Sequence, residues 1–568
     1  MSSNRLSNYL VIILRDAAVL IGLMSSTAWA QTVATPGGDF PAARYQGSTE
    51  AGVHVFRGIR YAAAPTGDRR WAPPVPPQSN AELLDATRFG SPCPQADSPF
   101  GVASKNEDCL FLNVFVPEGT SARDRLPVMV FFYGGAFISG ATDLYDAKQL
   151  ARNGEAIVVT VNYRLGAFGF MASPELSMQH PRRISGNFGI LDQELALRWV
   201  QQNVASFGGN PREVTVFGES AGAWSICAHL VRPSSEGLFS RVILQSGPCA
   251  FPLPALSNSE RVGSDITQKA GCTRGTSEET VACLRSLSAE ELLRAQPASS
   301  ELFASPAGLT AFFPTVEGVV VPRQPQEALA TGQFLRVPVL SGTNADEGRL
   351  FVALAFDLQR DKPLTAEEYP DRIRATAQTL VEQLSGTGSQ LTESVLTRQI
   401  LAEYPLSDYT SAGEALATVI GDGTFSCAAQ FSHQLFSLYT PTYAYEFNAR
   451  SVKLAALPPV SFPYGATHTV ELQFLFDLPR AELTAEEQRL AVTMQRYWGQ
   501  FADTSVPSLG LPAQPTWLPY TVLAPTLQSL EAPMPSIALD FSRRHHCSFW
   551  QGILLQTQAL TALASAGG

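Results

Sequence analysis

Short runs of branched and aromatic residues alternate along this chain with longer stretches whose apolar residues recur at helical spacing. Val128 to Tyr133 (VMVFFY) and Ile157 to Val161 (IVVTV) are almost wholly apolar, which predicts strands buried on both faces. From Asn187 to Ala205, Leu191, Leu195, Trp199 and Val200 recur one turn apart, which predicts a helix. Val214 to Phe217 reads as the next strand, and Val242 to Leu244, Val337 to Leu340 and Thr442 to Phe447 continue the series. Such alternation predicts an α/β fold, a central and mostly parallel twisted sheet flanked by helices. Thr365 to Gly423 is helical in composition throughout and reads as a helical insertion that forms a lid or flank.

Composition narrows the function classes. The 568 residues are 45% hydrophobic and 16% charged, enough to build a large core and too apolar for a disordered chain. At roughly 150 residues per domain the length would allow three or four domains. No repeat or low-complexity linker divides the chain, so residues 31–568 are expected to form one domain. The 40 basic and 51 acidic residues give a net charge of −11 with no basic run, which excludes a nucleic-acid footprint.

Residues 1–30 read as a signal peptide. Arg5 and Arg15 supply positive charge, Ala17 to Met24 a short apolar run, and Ala28-Trp29-Ala30 the small residues of a cleavage site. Arg15 and Asp16 interrupt the apolar stretch, well short of the roughly 20 residues of a spanning helix. The C-terminal QTQALTALASAGG is too short and polar to anchor the chain, so a secreted or periplasmic protein without a stable membrane anchor is expected. An oxidising compartment lets the eight cysteines pair. No CxxC suggests a metal site. Cys272 and Cys283 bracket one short polar loop and Cys93 and Cys109 another, which suggests local disulfides; Cys227, in an apolar context, reads as a buried free thiol.

Gly218-Glu219-Ser220-Ala221-Gly222 matches GxSxG between the strand EVTVF and the helical AWSICAHLV. That is the strand, turn and helix of a nucleophile elbow. A serine hydroxyl needs a base to take its proton. In this chain order the histidine follows the serine, which sets His54 and His180 aside, and His229 belongs to the helix after the elbow. His433 sits in a helical run and His545 and His546 adjoin Cys547, where surface or half-buried histidines are expected. His468 stands in a glycine-containing loop that can project it into a cleft. The carboxylate that orients it is Asp346 or Glu347, just beyond the strand VPVL; spacing alone leaves both open. Gly134, Gly135 and Ala136 after VMVFFY, and Ala221 after the serine, supply backbone N–H groups for a developing oxyanion.

These residues closely resemble the type-B carboxylesterase family, which includes the cholinesterases. Glu107 to Val114 (EDCLFLNV), Tyr133 to Phe137 (YGGAF), Asn162-Tyr163-Arg164, Leu191-Asp192-Gln193, Phe217 to Gly222 and Gln245-Ser246-Gly247 carry the likeness, which runs from about Gly58 to Trp550. The resemblance implies an α/β-hydrolase fold with helical insertions, Glu347 as the acid, His468 as the base, and the amides of Gly135, Ala136 and Ala221 as the oxyanion donors. It also implies pairs Cys93–Cys109, Cys272–Cys283 and Cys427–Cys547, with Cys227 and Cys249 free. Ser246 resembles a serine that hydrogen-bonds near the triad, and Glu107, Arg164 and Asp192 resemble members of structural salt bridges.

Two departures bear on substrate. In cholinesterases the loop between the first two cysteines is longer and carries a tryptophan that holds the choline cation. Here 15 residues separate Cys93 from Cys109 and none is Trp, which argues against choline esters. Gly308 and Thr310 resemble positions that carry aromatic rings in the acetylcholinesterase acyl pocket, which implies a pocket wider than acetyl requires. The expectation is an exported serine carboxylester hydrolase that acts on small-molecule esters through an acyl-enzyme, with no metal or cofactor. A lipase or amidase could use the same machinery, whereas a non-catalytic binding module would not need all three triad residues.

Overall fold

A computed structural model describes residues 31–553 apart from 79–82, 274, 299–310, 361, 385–391, 455–456, 479–481 and 511–514. The proposed signal peptide, Gly308, Thr310 and the C-terminal QTQALTALASAGG lie outside the described residues. Fourteen described strands form two sheets. The small one joins β1 (Thr32–Thr35), β2 (Ala43–Gln46) and β5 (Leu83–Asp85). The large one holds β3 (Ser48–Glu50), β4 (Val53–Arg60), β6 (Phe111–Pro117), β7 (Leu126–Phe132), β8 (Ile157–Val161) and β9 (Gly209–Glu219). It continues with β10 (Arg241–Gln245), β11 (Val339–Asn344), β12 (Thr442–Phe447), β13 (Leu527–Leu530) and β14 (Ser536–Ala538).

The spatial order of the large sheet is β14-β13-β12-β11-β10-β9-β7-β8-β6-β4-β3. Pairs from β8 through β13 are parallel, and the outer pairs at both margins are antiparallel. The central strands are apolar because helices cover both faces: all five residues of β8 and six of seven in β7 are buried. β7 has β8 on one side and β9 on the other. The strand order therefore reverses at β7, and a crevice opens beyond the carboxyl ends of β7 and β9, where α/β sheets hold their ligands.

Each strand read from the sequence is present. One is displaced: β11 begins at Val339 rather than Val337, because Pro338 has no N–H to give to a ladder. The predicted helix appears as α1 (Phe188–Asn203), and α2 (Ala221–Leu230) follows β9 directly. The helical insertion contains α3 (Tyr369–Leu384), α4 (Glu393–Glu403) and α5 (Ala412–Ile420). It runs through a π-helical turn, Gly421–Ser426, into α6 (Cys427–Ser437).

Cys93–Cys109, Cys272–Cys283 and Cys427–Cys547 are joined. Cys227 and Cys249 are not free, against expectation: they form a fourth disulfide. β9 and β10 are neighbours, so α2 after one and the loop after the other run side by side, and an apolar setting cannot tell a buried thiol from half a buried cystine. Buried ion pairs join Arg70 to Glu107 at 2.5 Å and Arg164 to Asp192 at 2.7 Å. No described helix is long and apolar enough to cross a membrane.

Candidate active site

Ser220 sits between β9 and α2 with φ 55° and ψ −120°, a backbone conformation that costs a non-glycine residue energy and persists only where neighbours enforce it. The flanking glycines explain how. A Cβ on Gly222 would collide with the carbonyl oxygen of Phe132, and one on Gly218 would come within 2.6 Å of the Gly222 backbone. The turn is fixed by Ser220 N–H donating to Gln245 O (2.8 Å) and by Ser220 O accepting from Trp224 N–H (3.0 Å). Ala221 is the first residue of α2, so its amide has no carbonyl four residues back to donate to.

At the end of β7, Gly135 and Ala136 have φ of 106° and 52°. The Gly135 carbonyl accepts from the amides of Ile138 and Ser139, which closes the loop tightly. A Cβ at Gly135 would collide with Ser139 O, so the close approach requires glycine. Both residues line the cavity that Ser220 and His468 share.

Of the two carboxylates left open by spacing, Glu347 meets the histidine: its Oε2 lies 2.6 Å from His468 Nδ1, while its Oε1 accepts the Asn344 amide at 2.8 Å. Asp346 has a different task. It pairs with Arg349 and Arg450, each at 3.2 Å, and accepts the Ala466 amide at 2.9 Å, thereby bracing the loop that carries His468. Asn344 Nδ2 donates to Thr467 O and the Leu350 amide to Thr467 Oγ1, both at 2.8 Å, so the histidine is tied to the end of β11 from several sides.

The His468 ring is buried between Phe351 and Phe425, each centroid 4.9 Å away. Its Nε2 makes no hydrogen bond and lies 3.2 Å from Glu219 Oε1; none joins it to Ser220 Oγ in this state. Burial works against a charged imidazole, yet Glu219, Glu347 and Glu471 outweigh it and raise His468 to about 9. Burial also raises the Glu219 carboxyl well above its usual range and brings Glu471 to about 7. Glu471 accepts from Asn344 Nδ2 at 2.6 Å and Gln245 Nε2 at 3.1 Å.

Two of the remaining histidines differ from expectation. His433 is buried rather than at the surface, 3.0 Å from Ser341 Oγ, and burial lowers it to about 3. His545 is buried as well, because both ring nitrogens find carboxylates, Asp422 and Glu446. His546, half-buried, pairs with Glu403 at 2.7 Å. The buried Ser246 hydroxyl has no hydrogen-bond partner among the described residues. Strand β10 ends at Gln245, whose side-chain amide donates to Glu471, and the chain turns at Ser246 with φ 51°.

The cavity measures about 580 Å³, its open mouth included, and its walls are largely aromatic. Trp224, Phe251, Phe313, Phe351 and Phe425 line it, and Phe100 comes from the Cys93–Cys109 loop. No Asp, Glu, Lys or Arg lines it among the described residues. Sequence reasoning did not find these walls. A signal existed for Trp224, one helical turn beyond Ser220, and for Phe351, four residues after Glu347; Thr424 and Phe425 carry none, since they reach the cavity from the insertion.

Comparison with known proteins agrees with the fold. A family model described as "Carboxylesterase family" matches residues 30–550. The chain is 35% identical over 481 residues to para-nitrobenzyl esterase of Bacillus subtilis (strain 168), covering 82% of this chain and 89% of that protein. It is 33% identical over 529 residues to acetylcholinesterase of Bungarus fasciatus (88% and 83% covered). Acylcarnitine hydrolase of Mus musculus is 35% identical over 496 residues (82% of each). The solved structure of a thermophilic PNB esterase superposes with a TM-score of 0.74 at 32% identity, over 91% of this chain and 99% of that one.

Proposed function

The chain belongs to the carboxylesterase family and is a carboxylesterase with an α/β-hydrolase fold, and from that premise we propose that Ser220, His468 and Glu347 form its catalytic triad and that its substrates are uncharged esters. The observation that carries this reading is the 2.6 Å contact between His468 Nδ1 and Glu347 Oε2, with Ser220 on the same cavity. Glu347 holds the Nδ1–H tautomer, which leaves the unbonded Nε2 lone pair to accept the Ser220 proton.

Ser220 Oγ then bonds to the ester carbonyl carbon as its proton passes to His468 Nε2, and the imidazolium is stabilised by Glu347. The tetrahedral oxyanion takes hydrogen bonds from the amides of Gly135, Ala136 and Ala221. Collapse breaks the bond to the alcohol oxygen, which leaves with the proton from His468. Water attacks the acyl-enzyme by the same route, gives its proton to His468, and the carboxylic acid departs as Ser220 recovers its hydrogen.

The Cys93–Cys109 loop, whose 15 intervening residues include no Trp, supports uncharged esters over choline esters. An acyl pocket wider than acetyl is part of the same proposal, as is export of residues 31–568 as one catalytic domain after removal of residues 1–30. The large sheet running from Ser48 to Ala538 supports one domain, and four disulfides support export. A fluorophosphonate probe followed by peptide mass mapping tests the site. It should add one phosphonyl group, on Ser220; a stoichiometric adduct elsewhere would reject the assignment. Nitrophenyl acetate, butyrate and hexanoate compared under one condition test the pocket, with butyrate expected to exceed acetate in kcat/KM.

A further inference from the structure

One wall of the cavity depends on a buried cluster outside the triad. Thr424 and Phe425 belong to the π-helical turn Gly421–Ser426. Such turns are rare and are held by their surroundings, often where a functional side chain must be aimed. Phe425 touches three rings of the site: His468 at 4.9 Å, Phe351 stacked at 5.4 Å and Trp224 at 5.7 Å.

The second residue of that turn, Asp422, is buried. Its Oδ2 accepts from Tyr404 Oη at 3.0 Å, and its Oδ1 lies 2.6 Å from His545 Nδ1. The opposite nitrogen, His545 Nε2, lies 2.7 Å from Glu446 Oε1 at the end of β12. Glu446 is also paired with Arg544, and Arg544 with Asp540 at 3.0 Å. Carboxylates facing both nitrogens of one imidazole favour the imidazolium, in which both nitrogens donate. Burial opposes that charge, but Asp422 and Glu446 prevail and hold His545 up at about 9. The disulfide Cys427–Cys547 joins the same two segments just beyond these residues. Trp550 backs Gly423 and donates to Tyr404 Oη at 2.6 Å.

We propose that His545 is a positioning residue of the ester site: bridging Asp422 and Glu446, it fixes the Gly421–Ser426 turn to the sheet and thereby sets Phe425 as a wall for bulky substrate groups. The inference rests on the cavity being the esterase site. His545 touches no reacting atom. Its contribution is to pocket shape, and it passes through Phe425.

A double-mutant cycle tests this. H545Q can satisfy only part of the bridge. With nitrophenyl benzoate its KM should rise about fivefold or more while kcat changes less than about twofold; with nitrophenyl acetate the rise should be smaller. In the F425A background the same H545Q change should move the benzoate KM by less than about twofold, because the wall it positions is gone. An unchanged KM, or an equal rise with and without Phe425, would overturn the proposal. If H545Q does not fold, D422N keeps the side-chain shape, weakens the bridge and goes through the same cycle with the same expectations. S220A is the control for the underlying reading: turnover equal to wild type in S220A would show that the cavity is not the esterase site, and the inference would fall with it.

Discussion

Glu347 Oε2 lies 2.6 Å from His468 Nδ1, and the buried acids Glu219 and Glu471 also act on that ring. The Glu347 contact selects the tautomer, so E347Q should leave the fold intact and lower kcat by roughly 10³- to 10⁴-fold, with little change in KM. Steady-state kinetics with nitrophenyl butyrate checks this, and a loss below tenfold would argue that another carboxylate orients the ring.

The acidic surroundings dictate the pH profile. His468 must be neutral to accept a proton, and its neighbours raise it from the usual 6.5 to about 9. The kcat/KM profile should therefore climb through neutral pH, about tenfold per pH unit, and level off near pH 9. In E219Q the acid 3.2 Å from His468 Nε2 becomes an amide that cannot ionise, and the rising limb should move to lower pH. A profile already flat at pH 7 would contradict the raised histidine.

The elbow should tolerate no side chain at its second glycine. G222A places a methyl group against the Phe132 carbonyl oxygen in the centre of the sheet, so a destabilisation of roughly 1–3 kcal/mol is expected. Activity should fall with it, because Ser220 moves when the turn opens. Thermal melts beside activity assays check both.

All eight cysteines should be oxidised. Thiol titration of the denatured, unreduced protein is expected to find none free, and non-reducing peptide maps should contain a Cys227–Cys249 cross-link. Two reactive thiols per chain would restore the pairing that the family resemblance implies.

That pairing marks where sequence reading stopped. Ser220, His468 and the β7 loop were legible because each needs a local pattern: glycines around a tight turn, a loop after a strand, an apolar strand ending in Gly-Gly-Ala. Asp346 and Glu347 were not separable locally, since which one reaches His468 is decided by how the Pro463–Thr467 loop packs on β11. Cys227 and Cys249 meet because β9 and β10 are adjacent, a long-range fact. His545 reads as a surface or half-buried histidine for the same reason; its partners Asp422 and Glu446 are 123 and 99 residues away in sequence. Phe425 is the clearest case, an ordinary residue of a helical insertion until the π-helical turn brings its ring to His468.

The account stands most directly on Ser220→Ala, measured as hydrolysis of nitrophenyl butyrate by purified, folded protein. The triad predicts a rate at least roughly 10³-fold below wild type with the melting temperature retained; turnover comparable to wild type would contradict it.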